Sequence, residues 1–462
     1  MTKYIEYFQV EAKCLLKDFK KNLPEAKSRC EKYFNGRDSL SLMNTQHVIA
    51  KEYGFDSWND LISKEPHKLA EALIIAKNKT FNSPFTLWHG GRITTGYEEN
   101  KYKLHDPKDY QLKYDSKKKT FISDRGEYEY MSFEHLDVSD YDLSGIDPLK
   151  VRYSEDTKWP EDPTKLPLGF KPKEFLESRK NPGLGIKTLH KLGIKGQGRN
   201  IAIIDWADLF NHIEYQNNLK GYEKIGEEFL RGKSSERLSS IIGKTCGLAP
   251  NACAYYYAVD LLRTQENPNG SNINFAKAIK KVCELHKNLI AEGKNGIDVI
   301  HLERYFTSEG VQNIEGYEET LNAIKEAEDL GIWCYWGDIS FTTKNKIGLG
   351  CIYCKLDGNV ENPDDYILYS EWKIYKVDHP NTLCFPCGAK TVSLEVKMDE
   401  YVFEHYSNRY AITYISGLYL LAKSVKESIT PYEFFELGLK TGDFRKGIGT
   451  IVNPVRLIES LK

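Results

Sequence analysis

Four cysteines stand in two matched pairs. Cys351-Ile-Tyr-Cys354 and Cys384-Phe-Pro-Cys387 are CxxC turns separated by 29 residues. A tight turn of this kind offers two thiolates to one tetrahedral metal ion, and two such turns complete a four-cysteine zinc site. Gly388 suits a knuckle, because backbone amides there must point at sulfur. Structural zinc held by Cys351, Cys354, Cys384 and Cys387 is therefore the expectation. Four reduced cysteines, some buried as small hydrophobes, are the competing reading, and a redox pair is a third. Cys14, Cys30, Cys246, Cys253, Cys283 and Cys334 read as ordinary buried thiols. Lys233 beside Ser234 and Ser235 has the residue types of a Ser–Lys pair, but adjacent loop residues seldom aim at each other. His405 precedes Arg409 by four residues and has no evident nucleophile to serve. It reads as a surface or core histidine, His301 as structural, and His47 as packing or surface.

The whole chain bounds what such residues can do. It has 462 residues, 40% hydrophobic and 28% charged. That is enough apolar content to bury a sizeable core and to exclude global disorder. Lys plus Arg number 64 and Asp plus Glu 66, for a formal net charge of -2. This balance argues against nucleic-acid binding by bulk positive charge. No run approaches 18 consecutive apolar residues, so no membrane span is expected. Charges interrupt the first residues, which lack the apolar core of a signal peptide. Ten cysteines are too sparse for a disulfide scaffold. A cytoplasmic protein with reduced thiols is the expectation.

The elements that must position these residues fall into four stretches. Residues 1–65 read as a helical module, with Phe8, Leu15, Leu16, Phe19 and Leu23 at helical spacing. Leu42, Ile49 and Tyr53 share a face of a second helix, which Gly54 can end in the left-handed conformation. Residues 66–135 carry short aromatic and β-branched runs and read as a β-rich segment of unassigned role. Residues 136–180, rich in Asp and Pro, read as an irregular arm lying on the next domain. From 181 to 462 strands and helices alternate. Asn200–Ile204, Ala252–Val259, Asp298–Leu302 and Ile332–Trp336 are strand candidates. Phe275, Ile279, Val282, Leu285 and Leu289 make a helical stripe, and Leu321, Ile324 and Leu330 belong to another. This alternation implies βαβ units and a parallel sheet. Thr430-Pro431-Tyr432-Glu433 is a capping box with Pro at the first helical position, and Gly442 closes that helix.

Several of these segments carry a family signal. NPGLGIKTLHKLGIKGQGRNIAIID (181–205) resembles the opening of the subtilisin-like serine peptidases, or subtilases. GKTCGLAPNACAYYYAV (243–259) is similar to the segment after that family's catalytic His, and GIDVIHLERY (296–305) to the strand lining its substrate cleft. YAITYISGLYLLAKSVKESITPYEFFELGLKTG (410–442) resembles the helix after the catalytic Ser and the helix that follows. The arm is similar to the N-terminal extension of a group of uncharacterised bacterial subtilases. LMNTQHVIAKEYGFDSWNDLI (42–62) resembles a small helical module of bacterial proteins. The resemblance implies a three-layer α/β subtilase-like domain with a mostly parallel sheet, preceded by the helical module and the β-rich segment.

The chemistry of the family does not come with it. A subtilase uses an Asp to orient a His, the His as general base and a Ser as nucleophile. Asp205 matches the Asp. The His position falls on Lys233 or Ser234, depending on one gap, and neither is an imidazole base. His212 resembles the non-catalytic His found just past the first strand. Within Ser407-Asn408-Arg409-Tyr410-Ala411-Ile412-Thr413, the nucleophile position is Arg409, a permanent cation. The oxyanion position matches Asp338, whose charge would oppose a developing oxyanion. Glu303, Arg304 and Tyr305 replace small residues on the cleft wall. In this family loss of the Ser or the His costs on the order of a million-fold in rate. A buried Asp205 without its histidine needs a counter-ion, and Arg409 is the expected one, bridging to Asp205 or Asp338. The expectation is a pseudopeptidase that binds a protein or peptide partner without turnover, possibly a regulator; an active intracellular serine endopeptidase with non-standard catalytic residues is the alternative.

Overall fold

The structure is a computed structural model of the chain. It describes residues 3–37, 39–64, 69, 112–122, 131–205, 212–226, 235–259, 271–302, 314–335, 347–369, 381–394, 399–405 and 409–462. The chain divides into two compact units, residues 1–103 and 104–462.

The described residues of the first unit are helical: α1 (Lys3–Lys20), α2 (Pro24–Glu31), α3 (Leu42–Glu52) and α4 (Trp58–Ile62). Phe8, Leu15 and Phe19 from α1 meet Val48 and Ile49 from α3 in one buried cluster. Leu23 departs from the expected stripe. It is the residue before α2, where the chain has left the helical path, and it is 44% exposed. Ser41 caps α3 with a reciprocal Asn44 box, and Gly54 follows the helix at φ 84°, in the left-handed conformation.

The second unit begins with the hairpin β1 (Lys113–Asp115) and β2 (Thr120–Ile122), then β3 (Met131–Ser132) and β4 (Val151–Ser154). Helices α5 (Pro172–Ser178) and α6 (Ile186–Lys191) lead to β5 (Asn200–Asp205). Then come β6 (Leu219–Ile225), α7 (Ser235–Ile242), β7 (Cys253–Val259), α8 (Ile273–Ala291), β8 (Val299–Leu302), α9 (Tyr317–Asp329) and β9 (Trp333–Tyr335). These five strands form one parallel sheet in the order β6-β7-β5-β8-β9. The apolar stripe of α8 is buried along its length, as a helix covering a sheet requires.

The pairing register reveals the layers. Ile300 in β8 pairs with Cys334 in β9, whose thiol lies against the Ile324 carbonyl of α9. His301, the next residue, faces the other way. Its Nδ1 is 3.0 Å from Ser416 Oγ in α10 (Arg409–Val425). Alternate residues of a strand point to opposite faces, so α9 and α10 cover opposite faces of the sheet. α8 packs on α9 and α7 packs on α10, which completes a three-layer α/β arrangement with a parallel sheet at its centre.

Beyond β9 lie β10 (Gly348–Cys354), β11 (Tyr366–Leu368), β12 (Thr382–Pro386), β13 (Lys390–Ser393) and β14 (Tyr401–Glu404). After α10 come α11 (Pro431–Thr441), β15 (Asp443–Arg445), β16 (Gly449–Ile451) and α12 (Pro454–Glu459). A second, mixed sheet runs β11-β10-β12-β16-β15. The Thr430–Glu433 box caps α11 as the spacing predicts, with Glu433 accepting from the Thr430 amide at 2.9 Å.

The arm is woven into this unit. Its strand β4 pairs antiparallel with β14, giving the sheet β13-β14-β4-β3. Trp159 meets Phe133, Tyr153 and Phe170 edge-on, and Tyr153 stacks on Phe403. Such pairs add about 0.5–1.5 kcal/mol each beyond the area they bury. His135 helps fasten the same stretch. Its Nδ1 is 2.7 Å from Asp156 and its Nε2 3.5 Å from Glu134. Burial opposes its charge, but the hydrogen bonds to Asp156 and Glu134 outweigh it and hold the pKa at about 9. A raised pKa means that the folded state binds the extra proton. The contribution should be complete below about pH 6.5 and lost as the pH climbs through 9. Thermal midpoints of the parent and His135→Gln, measured from pH 6 to 9.5, should therefore differ most at pH 6 and converge at the alkaline end; a constant gap would refute the linkage.

Candidate functional site

β5 is the middle strand of the parallel sheet, and the chain leaves it in one direction to β6 and β7, then crosses to β8 and β9 on the other side. The carboxyl end of a strand at such a reversal is where open α/β sheets place their sites. Asp205 is the last residue of β5 and is 5% exposed. Ile203 pairs with His301, so Asp205, two residues on, points to the face covered by α7 and α10.

There it meets a guanidinium. Arg237 Nε, in the first turn of α7, is 3.4 Å from Asp205 Oδ2, and both side chains are buried. An arginine stays protonated at any ordinary pH. The pair can neutralise charge, but it cannot take a proton from a nucleophile. The sequence points to Arg409 as the counter-ion. Arg409 opens α10, but its side chain lies outside the described residues, as do Lys233, Ser234, Glu303, Arg304, Tyr305 and Asp338. Arg237 was not anticipated. The sequence signal for it is a basic residue in the first turn of α7.

A second buried charge cluster adjoins the first. Arg152, from β4 of the arm, is 2% exposed. Its guanidinium lies 2.9 Å from Glu134, 3.0 Å from Glu236 and 3.3 Å from Glu404. Glu236 neighbours Arg237 in α7, and its other oxygen accepts a 2.6 Å hydrogen bond from the Tyr410 hydroxyl of α10. Burial, and then the Glu236 charge, push the Tyr410 phenol well above its ordinary pKa. Glu404 also receives His405, at 3.1 Å. The arm is thus tied by charge to α7 through Glu236 and to β14 through Glu404.

The four cysteines do not gather around one point. Cys351 and Cys354 are three apart on β10, so they face opposite sides of the sheet. Cys384 pairs with Gly350 and so shares the Cys354 face, but four residues away, roughly 13 Å along the strand. Cys387 continues β12 on the face of Cys351, and those two thiols interact. Burial pushes the Cys384 thiol up to about 12 and Cys387 well above its ordinary value. Zinc takes thiolates, and both environments favour the thiol. Among the described residues, no group of three or more His, Cys, Asp or Glu side chains is placed to hold a metal ion. The residues present therefore do not fit a four-cysteine zinc. A CxxC run inside a strand splits its thiols between faces, whereas a knuckle needs them in a turn. All ten cysteines are free.

No family model matches the chain, and no curated protein sequence is similar to it. Solved structures are similar at a distance. The A-subunit of the AB5 toxin from E. coli is 13% identical with a TM-score of 0.43, over 61% of this chain and 98% of that one. The PatG macrocyclase domain is 15% identical with a TM-score of 0.39, over 60% and 94%. Fervidolysin from Fervidobacterium pennivorans, a keratinolytic enzyme related to subtilisin, is 11% identical with a TM-score of 0.41, over 60% of this chain and 45% of its own. No helix among the described residues is long and apolar enough to cross a membrane.

Proposed function

We propose that this chain is a catalytically silent relative of the subtilisin-like peptidases that acts by binding a protein or peptide. The observation that carries the reading is the Asp205–Arg237 pair. In a working triad the Asp orients an imidazole that takes the nucleophile's proton. Here a buried guanidinium satisfies the carboxylate. The quoted segments support the family assignment, because they fall in order on β5, β7, β8 and α10. Arg409 in place of the nucleophile supports the loss of hydrolysis. Ten free thiols fit a reducing, cytoplasmic setting.

The test is digestion of a diverse peptide library by the purified chain, read by mass spectrometry beside Asp205→Ala. The expected result is no cleavage above background by either protein. Cleavage by the parent that Asp205→Ala abolishes would overturn the reading and establish a peptidase with a rearranged nucleophile.

A further inference from the structure

Lys390 stands at an unusual point in this network. It opens β13, directly opposite Glu404 of β14. Arg152 of β4 lies beside Glu404 on the other flank, because Phe403 pairs with Tyr153 and Val402 with Ser154. The three strands thus present a row of Arg152, Glu404 and Lys390 on one face. Such a row offers one carboxylate to two cations. Arg152 takes it at 3.3 Å, and His405 holds the other oxygen. Lys390 is half-buried and makes no hydrogen bond or ion pair among the described residues. Its ammonium lies over the Tyr410 ring, 5.7 Å from the centroid. A lysine held partly out of water without a counter-ion is rare, because the charged form loses hydration and gains little.

We propose that Lys390 is an acyl-acceptor site, a selectively reactive amine that takes acyl groups from uncharged thioesters. The face it shares also carries Arg152, Glu236, Arg237, Glu404, Tyr410 and buried Cys246. α5 packs against the opposite face, where Thr391 bonds to the Leu176 carbonyl. The Tyr410 ring beside the ammonium offers an apolar wall to an uncharged donor. In the step, the amine nitrogen attacks the thioester carbonyl carbon. The N–C bond forms, the C–S bond breaks, and the leaving thiolate is protonated as the nitrogen loses its proton. No oxidant or reductant is required.

Burial lowers the Lys390 pKa to about 8, with Cys246 opposing. At pH 7.4 its free-amine fraction is then on the order of 100-fold that of an ordinary lysine. Its weaker basicity takes back about tenfold in nucleophilicity, by analogy with thiols. The experiment treats the full chain with the acetyl thioester of N-acetylcysteamine at limiting concentration and reads each lysine by peptide mass spectrometry. Lys390 should acetylate about tenfold faster than exposed Lys171 and Lys294 at pH 7.4, and its rate should level off just above pH 8. Lys390→Arg should lose that acetylation while keeping the parent's thermal midpoint. A Lys390 that labels no faster than Lys171, or whose rate climbs with theirs to pH 10, would overturn the assignment. Neither outcome depends on whether the chain hydrolyses peptides.

Discussion

Arg152→Met should destabilise the larger unit by about 3–5 kcal/mol, the cost of removing one partner from a buried ion pair. The side chain is 2% exposed and lies within 3.3 Å of three carboxylates. Glu236 and Glu404 are themselves nearly closed to water. Removing the guanidinium leaves two negative charges facing each other in a low dielectric, where repulsion is strong and hydration is not restored. Methionine keeps most of the volume, so a cavity term should be small. Urea denaturation of the full chain measures the effect, and adding Glu236→Gln and Glu404→Gln should recover much of it. A loss under about 1 kcal/mol for Arg152→Met alone would place the cluster with weak, surface-type ion pairs.

The fold was legible where period and punctuation agree. The stripe Phe275–Leu289 has the spacing of one helix and is one. The short apolar runs at 200–204 and 299–302 are central strands, bounded by polar residues and buried on both faces. Parallel order follows from the helices between them. The arm reads as irregular in the sequence because β4 has only four residues, Val-Arg-Tyr-Ser. An arginine in the middle of so short a run reads as solvent-facing. Only the tertiary structure, with three glutamates from distant segments, makes that residue a buried one.

The candidate site was legible in part. Asp205 stands at the end of the strand that the apolar run Asn200–Ile204 predicts. Its counter-ion is not legible, because spacing along a helix says which residues share a face but not which of two arginines reaches a given carboxylate. The cysteines fail for a related reason. The CxxC spacing has the same appearance in a knuckle and in a strand, and backbone conformation alone decides whether the thiols converge. Lys390 and Tyr410 carry no sequence signal at all, since their neighbours Cys246 and Glu236 come from a distant segment.

Asp205→Ala separates a relic from a working residue by what it damages. In a peptidase the triad Asp contributes to rate: its loss lowers turnover by roughly ten-thousand-fold and leaves the fold intact. Here the same change should cost stability, by about 3 kcal/mol or more, because it strips the carboxylate from a buried guanidinium. Arg237 is 7% exposed and cannot shed its proton to escape the cost. Arg237→Leu alone should also destabilise, by leaving Asp205 without that cation. The double change Asp205→Ala with Arg237→Leu removes both charges and should be less damaging than the sum of the single ones, with a coupling of about 1–3 kcal/mol. Denaturation of the four proteins completes the cycle, and the library digest of the same four should show no cleavage by any of them. Additive losses would mean that Arg237 does not answer Asp205. A coupled pair in a protein that cleaves nothing would show a triad position kept for the charge it holds rather than for the proton it once directed.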